Sequence, residues 1–356
     1  MYCKQGIIGA QFSHPQRGHG LCCASMERYH GSPKEIWYKK LDNARINISN
    51  NKKVKDCVSC YECEEKGVKS FRQIYNEQFK NYIPTELPQH LDLDFSNFCN
   101  LKCIMCGPDR SSMWAKEKSL YPDNNGVTAV SSKELEEICE LSYDLKHITL
   151  QGGEPTMIKE YQTYFQFLKD NNIIQNVSLN VVTNLTNLNE KFFFYLPYFK
   201  RVNISVSVDA FGTANDYIRY PSNFKKITDN IKMLNQYDLD CTIDTAIQIL
   251  SMYDIKNFID WFKNLEIHFQ KNKKTIRRYF QQVWEPECLN INNAPQLLKE
   301  EFIKSVKNTD LEYLTGFFTK NSYNYQKTID FFKNIDHKRN ISVVDYVPKL
   351  GSYYQI

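Results

Sequence analysis

Cys99-Asn100-Leu101-Lys102-Cys103-Ile104-Met105-Cys106 sets three cysteines at the spacing CxxxCxxC. Four thiolates close a structural zinc site. Three thiolates hold three corners of a [4Fe–4S] cube and leave the fourth iron open to a small chelating ligand. Immediately upstream, Leu91-Asp92-Leu93-Asp94-Phe95 alternates apolar and acidic residues, the period of a short strand. The cysteines therefore follow a strand and occupy a loop.

Downstream, His147 to Gln151 reads as a second strand and runs into Gly152-Gly153-Glu154-Pro155. Paired glycines let a backbone approach a ligand and turn its N–H groups toward it. In a parallel barrel the loops after successive strands meet at one end, so the two motifs would share a site. Together they closely resemble the signature of the radical S-adenosylmethionine (SAM) enzymes. That resemblance implies a cluster on Cys99, Cys103 and Cys106 whose free iron takes the amino and carboxylate groups of SAM. It implies reductive cleavage of SAM and hydrogen abstraction by a 5′-deoxyadenosyl radical. Gly152, Gly153, Glu154 and Pro155 would hold the methionine amino group, and a flavodoxin- or ferredoxin-type donor would supply the electron.

Residues 1–88 are rich in cysteine: Cys3, the Gly18-His19-Gly20-Leu21-Cys22-Cys23 stretch, and Cys57-Val58-Ser59-Cys60-Tyr61-Glu62-Cys63. The CxxC pair Cys57 and Cys60 lets two thiolates share one metal centre. The pattern resembles the twitch module, a shortened SPASM domain that binds one auxiliary [4Fe–4S] cluster, here placed ahead of the barrel. The paired Cys22-Cys23, Trp37 and the run from Cys57 through Glu64, Gly67 and Ser70 to Arg72 carry that resemblance. Cys3, one of Cys22 or Cys23, Cys57 and Cys60 are the expected ligands, with Cys63 a possible replacement for Cys3. Zinc on the same thiolates is the competing reading. His14, His19 and His30 lie among glycines and prolines and are expected as exposed loop histidines. A short helix is expected over 71–83.

From residue 89 to 290 strands alternate with helices, which implies a parallel sheet. The strands are expected at Leu91–Phe95, His147–Gln151, Val177–Thr183, Arg201–Val208, Cys241–Ile249 and Arg278–Trp284. Helices are expected near 159–171, 188–196, 223–236 and 253–265, with a loop over 121–128 and a helix capped by Ser131 or Ser132. The α/β pattern matches the partial (β/α)6 barrel of the radical SAM family. By resemblance, Asn184 after the third strand, and Ser207 and Asp209 on the fourth, contact SAM. Arg219 would pair bidentately with its carboxylate. Residues 291–356 form a helical extension, with helices at about 296–307 and 324–334. Its end, Asp336…Arg339 before Val347-Pro348-Lys349-Leu350, resembles the same subgroup; a helix docked on the barrel is the plain reading.

Charged residues at 24% and hydrophobic residues at 42% describe a soluble globular protein. The net charge of +4 is too mild to argue for nucleic acid. No apolar run approaches the ~20 residues of a membrane span. Twelve cysteines without an apolar leader point to the cytoplasm and to metal ligation rather than disulfides. Fold does not name the substrate, which could be a peptide, sugar or nucleotide. The reading from another class is a zinc-stabilised binding protein, with nucleic acid as one partner. Nothing in the sequence fixes the oligomeric state.

Overall fold

A computed structural model describes residues 2–65, 67, 69–117, 126–318 and 325–354. Most of the loop expected over 121–128 lies outside these residues. The strands are β1 (Gly9–Ser13), β2 (His90–Asp94), β3 (His147–Leu150), β4 (Ser178–Thr183), β5 (Arg201–Ser207), β6 (Asp240–Ile247) and β7 (Ile276–Gln282). They form one seven-stranded sheet in the order β1 to β7. Pairs β1/β2, β2/β3, β3/β4 and β6/β7 are parallel. This is the α/β class and the connectivity of an incomplete β/α barrel.

Six strands stand where the alternation placed them. The seventh, β1, comes from the cysteine-rich region and adds to the sheet beside β2, with Gly9 opposite His90 and Ser13 opposite Asp94. Gly-Ala-Gln-Phe-Ser has no β-branched residue and no clear alternation, so its strand signal is weak. It is nevertheless buried throughout, as parallel strands covered on both faces are.

The main helices are α1 (Val58–Glu65), α2 (Phe71–Gln78), α3 (Ser132–Glu140), α4 (Lys159–Asp170), α5 (Gly212–Ile218), α6 (Phe224–Leu234), α7 (Ile255–Gln270), α8 (Gln296–Val306) and α9 (Tyr325–Arg339). Ser131 starts α3 with a capping box: its hydroxyl accepts from Glu134 N and the Glu134 carboxylate accepts from Ser131 N. The stripe Phe224, Ile227, Ile231 and Leu234 repeats at helical spacing and is the buried face of α6.

The chain divides into two compact units. One comprises Met1–Asn100, Gly107–Val182 and Asn189–Asn203; the other comprises Leu101–Cys106, Thr183–Leu188 and Ile204–Ile356. In the first, Leu91, Leu93, Ile148, Leu150 and Val181 are buried on the strands, and Ile138, Tyr161, Tyr164, Phe165 and Leu168 are buried on α3 and α4. In the second, buried Val206, Ile243 and Ile247 of the strands accompany Phe258, Phe262 and Leu265 of α7.

Phe12 tests the status of β1. It is fully buried and pairs in register with Leu93. Truncation leaves a cavity, so Phe12→Ala should cost about 3–5 kcal/mol in denaturant unfolding. A cost near zero would mean that β1 is not an integral strand.

Candidate active site

In the first unit, β2 has Leu91 and Leu93 on one face and His90, Asp92 and Asp94 on the other, all buried. The chain then turns through Ser96, Asn97 and Phe98 to Cys99. Asn97 braces this turn: its amide donates to Pro108 O (2.9 Å) and Gly126 O (2.8 Å), and its carbonyl accepts from Thr128 N (2.9 Å). Ser112 Oγ accepts from Cys99 N at 3.2 Å.

The glycine loop after β3 lies against this turn. Gly153 N donates to Ser96 O (2.9 Å) and Glu154 N to Phe98 O (2.7 Å). A Cβ on Gly153 would stand 2.1 Å from Phe98 O. On Gly152, whose φ is +106°, it would stand 2.2 Å from Asp94 Oδ1. Both glycines are thus required by close approach, and Gly152 also by conformation. The buried Glu154 carboxylate accepts from Thr156 N (3.2 Å) and Thr156 Oγ1 (2.7 Å), capping the turn that Pro155 opens. Tyr161 of α4 places its hydroxyl 2.9 Å from Leu93 O and 3.0 Å from Gln151 O, tying the ends of β2 and β3 together.

Asp94 forms a buried ion pair with Arg17 at 2.7 Å. Burial lowers Arg17 to about 10. Asp92 accepts from Cys23 N at 3.0 Å, and burial pushes its carboxyl up to about 6. His14 and His19 are not exposed as expected: both are buried and bonded. His14 Nε2 meets Asp109 O at 3.0 Å and its Nδ1 meets Thr128 Oγ1 at 2.8 Å. His19 Nε2 meets Gly31 O at 3.1 Å. Packing into the turns around β1 overrides the Gly- and Pro-rich context that made them look solvent-facing.

The N-terminal cysteines sort into two groups. Cys3, Cys22, Cys57 and Cys60 are buried. Burial and the neighbouring Cys60 thiol are among the causes that push Cys3 up to about 11. Burial, then Cys3 and Cys60, push Cys57 up to about 12. Burial raises Cys22, with Cys23, Asp92 and Cys3 adding to it. Cys23 turns elsewhere, with its sulfur 3.3 Å from Tyr75 Oη. Cys63 is half-buried.

In the second unit, Lys102 N donates to Tyr220 O (2.6 Å), Ile104 N to Ile218 O (2.9 Å) and Cys106 N to Cys103 O (3.0 Å). The Cys106 thiol hydrogen-bonds to buried Cys103 and, with burial, raises it. Asp209, at the end of β5, is fully buried. It pairs with Arg219, Nε to Oδ2 at 2.7 Å and Nη2 to Oδ1 at 3.1 Å. Its Oδ1 also accepts from Ala246 N at 2.9 Å. Arg219 Nη1 lies 3.9 Å from Cys103 Sγ. Burial alone would lower Arg219, but Asp209 and Cys103 hold it above its usual value. Arg219 therefore has a protein carboxylate and a sulfur as neighbours within its own unit. Asn184 accepts from Thr186 N (3.0 Å) and Thr186 Oγ1 (2.8 Å), forming a local turn. Ser207 is buried at the end of β5.

Asp94, Arg17, Asn97 and Tyr161 were not singled out by the sequence. Only Asp94 carried a signal, the acidic alternation of β2. Among the described residues no three or more His, Cys, Asp or Glu side chains stand grouped for a single metal ion. A cube places each thiolate on its own iron. Soft thiol donors on a short loop, with Cys103 and Cys106 already adjacent, fit such a group. A separate cavity of about 770 Å³ between α3 and α4 is lined by Glu136, Cys139, Lys159 and Phe167. It contains none of the motif residues.

Two measurements check this geometry. Gly153→Ala should force the glycine loop off the Ser96–Phe98 backbone, so SAM affinity by calorimetry should fall at least tenfold with iron retained. Native affinity would contradict the packing. Asp244 of β6 is half-buried, and desolvation with Asp209 nearby pushes it up to about 6. The folded state then holds its proton where the unfolded chain, at about 4, does not. Stability should fall as pH rises from about 4 to 6. Asp244→Asn should remove that slope and add on the order of 2 kcal/mol above pH 6, read by urea midpoints.

Residues 93–262 match the family described as the Radical SAM superfamily. The chain is 27% identical over 190 residues to the cysteine-type anaerobic sulfatase-maturating enzyme of Clostridium novyi, covering 49% of this chain and 47% of that one. It is 22% identical over 197 residues to the sporulation killing factor maturation protein SkfB of Bacillus subtilis, covering 54% and 44%. The chain spans about half the length of these curated relatives. A solved structure of Streptococcus suis SuiB bound to precursor peptide SuiA aligns with a TM-score of 0.41 at 15% identity, covering 91% of this chain and 58% of that one.

Proposed function

We propose that this chain, a radical SAM enzyme by the domain at residues 93–262, holds a [4Fe–4S] cluster on Cys99, Cys103 and Cys106 and acts on a polypeptide. The observation that carries the reading is the glycine loop hydrogen-bonded to the turn that delivers Cys99. Gly152 and Gly153 keep that approach free of side chains, and Glu154 fixes the turn behind it. When bound, the cluster supplies the electron that splits SAM, and the resulting 5′-deoxyadenosyl radical takes a hydrogen atom from the substrate. Arg219 places a cation beside Cys103, which favours the thiolate that metal binding requires. Asp209 orients that cation. A polypeptide substrate is favoured because two of the curated relatives are maturation proteins. A flavodoxin- or ferredoxin-type protein is the fitting electron donor. No helix among the described residues is long and apolar enough to cross a membrane.

The same reading gives the N-terminal region a second [4Fe–4S] cluster on Cys3, Cys22, Cys57 and Cys60. Its support is four buried thiols linked by mutual electrostatic influence, while Cys23 is engaged with Tyr75 and Asp92. Such a group would tie together residues that are far apart in sequence. It could take the substrate's second electron.

Changing Cys99, Cys103 and Cys106 together to Ala should halve the iron and abolish 5′-deoxyadenosine formation. Unchanged iron would sink the first site. Cys57→Ala with Cys60→Ala should also halve the iron while SAM cleavage without substrate survives. A colourless, zinc-loaded native protein would overturn both assignments.

A further inference from the structure

The C-terminal Asp336…Arg339 pair has no part in the function described so far. Arg339 is the last residue of α9, where an arginine ordinarily stays in water and favours the helix carbonyl end. Here it is only 7% exposed. Burying a guanidinium is costly unless its donors are used. Its Nη1 donates to Tyr217 O at 2.7 Å and its Nη2 to Lys102 O. Its plane lies over Tyr220 and Tyr217, with centroids 5.0 Å and 5.5 Å away. Asp336, one turn earlier, accepts from Tyr217 Oη (2.8 Å) and Val343 N (2.9 Å), which holds the end of α9 in place.

These acceptors are specific. Lys102 immediately precedes Cys103, and its N–H is already bound to Tyr220 O. Arg339 takes the carbonyl of the same residue, so both backbone groups of Lys102 are fixed. Tyr217 lies in the last turn of α5, which leads directly to Arg219 and its contact with Cys103 Sγ. One guanidinium thus fixes the backbone ahead of Cys103 and the helix end that delivers Arg219.

We propose that Arg339 is a positioning residue for the iron–sulfur loop, holding Cys103 in ligand geometry through the carbonyl of Lys102, 237 residues away in sequence. The inference rests on the reading of Cys99, Cys103 and Cys106 as cluster ligands. It adds the C-terminal helix to the parts on which the cluster depends. A lysine has the charge but not the fork needed to reach both carbonyls.

The test uses the anaerobically reconstituted full chain and two readouts: iron release to a chelator, and the change that added SAM produces in the electron paramagnetic resonance spectrum of the reduced protein. Arg339→Ala should release iron from the SAM-responsive cluster about tenfold faster and lose the SAM-induced change. Arg339→Lys should fall between it and the native protein. Thr213→Val removes the hydrogen bond to Tyr346 O, a docking contact of the C-terminal segment made without Arg339 or Lys102, and should behave as native. Native behaviour of Arg339→Ala overturns the proposal, as does equal iron loss in Thr213→Val. If Arg339→Ala does not fold, Arg339→Lys decides: an intermediate rate supports the proposal and a native rate overturns it. A native protein without any SAM-responsive cluster would instead refute the functional reading beneath it.

Discussion

The carbonyls of Ser96 and Phe98 accept the N–H groups of Gly153 and Glu154, and no side chain can stand between them. Much else in the first unit follows from this close approach. Gly152 takes a positive φ and leaves room for the Asp94 carboxylate. Glu154 turns inward to cap the following turn rather than reaching outward. Asn97 and Tyr161 satisfy the polar backbone left around the junction. A loop that must offer backbone to a ligand cannot lean on regular ladder bonds, so each of its groups needs an assigned partner.

Buried guanidinium–carboxylate pairs recur, and each unit holds one. In the first, Arg17 meets Asp94 beside Gly152; in the second, Arg219 meets Asp209 beside Cys103. Taking two charges out of water costs several kcal/mol per ion, and their attraction repays it only in good geometry. Such pairs are poor devices for stability alone. They are well suited to presenting a fixed charge where the chemistry needs one. The resemblance assigned Arg219 to the carboxylate of SAM. In the structure its neighbours are Asp209 and the Cys103 sulfur.

The N-terminal region is more than a cysteine carrier. Its strand β1 completes the edge of the sheet, and Arg17 and Cys23 extend from it to Asp94 and Asp92. Cys22 and Cys23 are neighbours in sequence but differ in surroundings: Cys22 is buried, and Cys23 is half-buried with its sulfur beside Tyr75 Oη. The pair sits in a turn closed by Ser25 N donating to Cys22 O at 3.0 Å.

Local order alone made much of this protein readable. CxxxCxxC after an alternating strand, GGEP after the next, and the strand–helix rhythm that follows are all signals of short range. They depend on backbone periods and on the reach of adjacent side chains, which the amino-acid order determines directly. Six strands and a helix capped by Ser131 or Ser132 were legible for that reason. The tertiary structure decided the rest: that Gly9–Ser13 is a strand, that His14 and His19 are buried, that Cys23 lies against Tyr75, and that Arg219 and Arg339 converge on the residues around Cys103. Each of these depends on which distant segment the folded chain brings alongside. Burial and the need to satisfy every buried polar group select the partner, and neither has a period that a sequence can show.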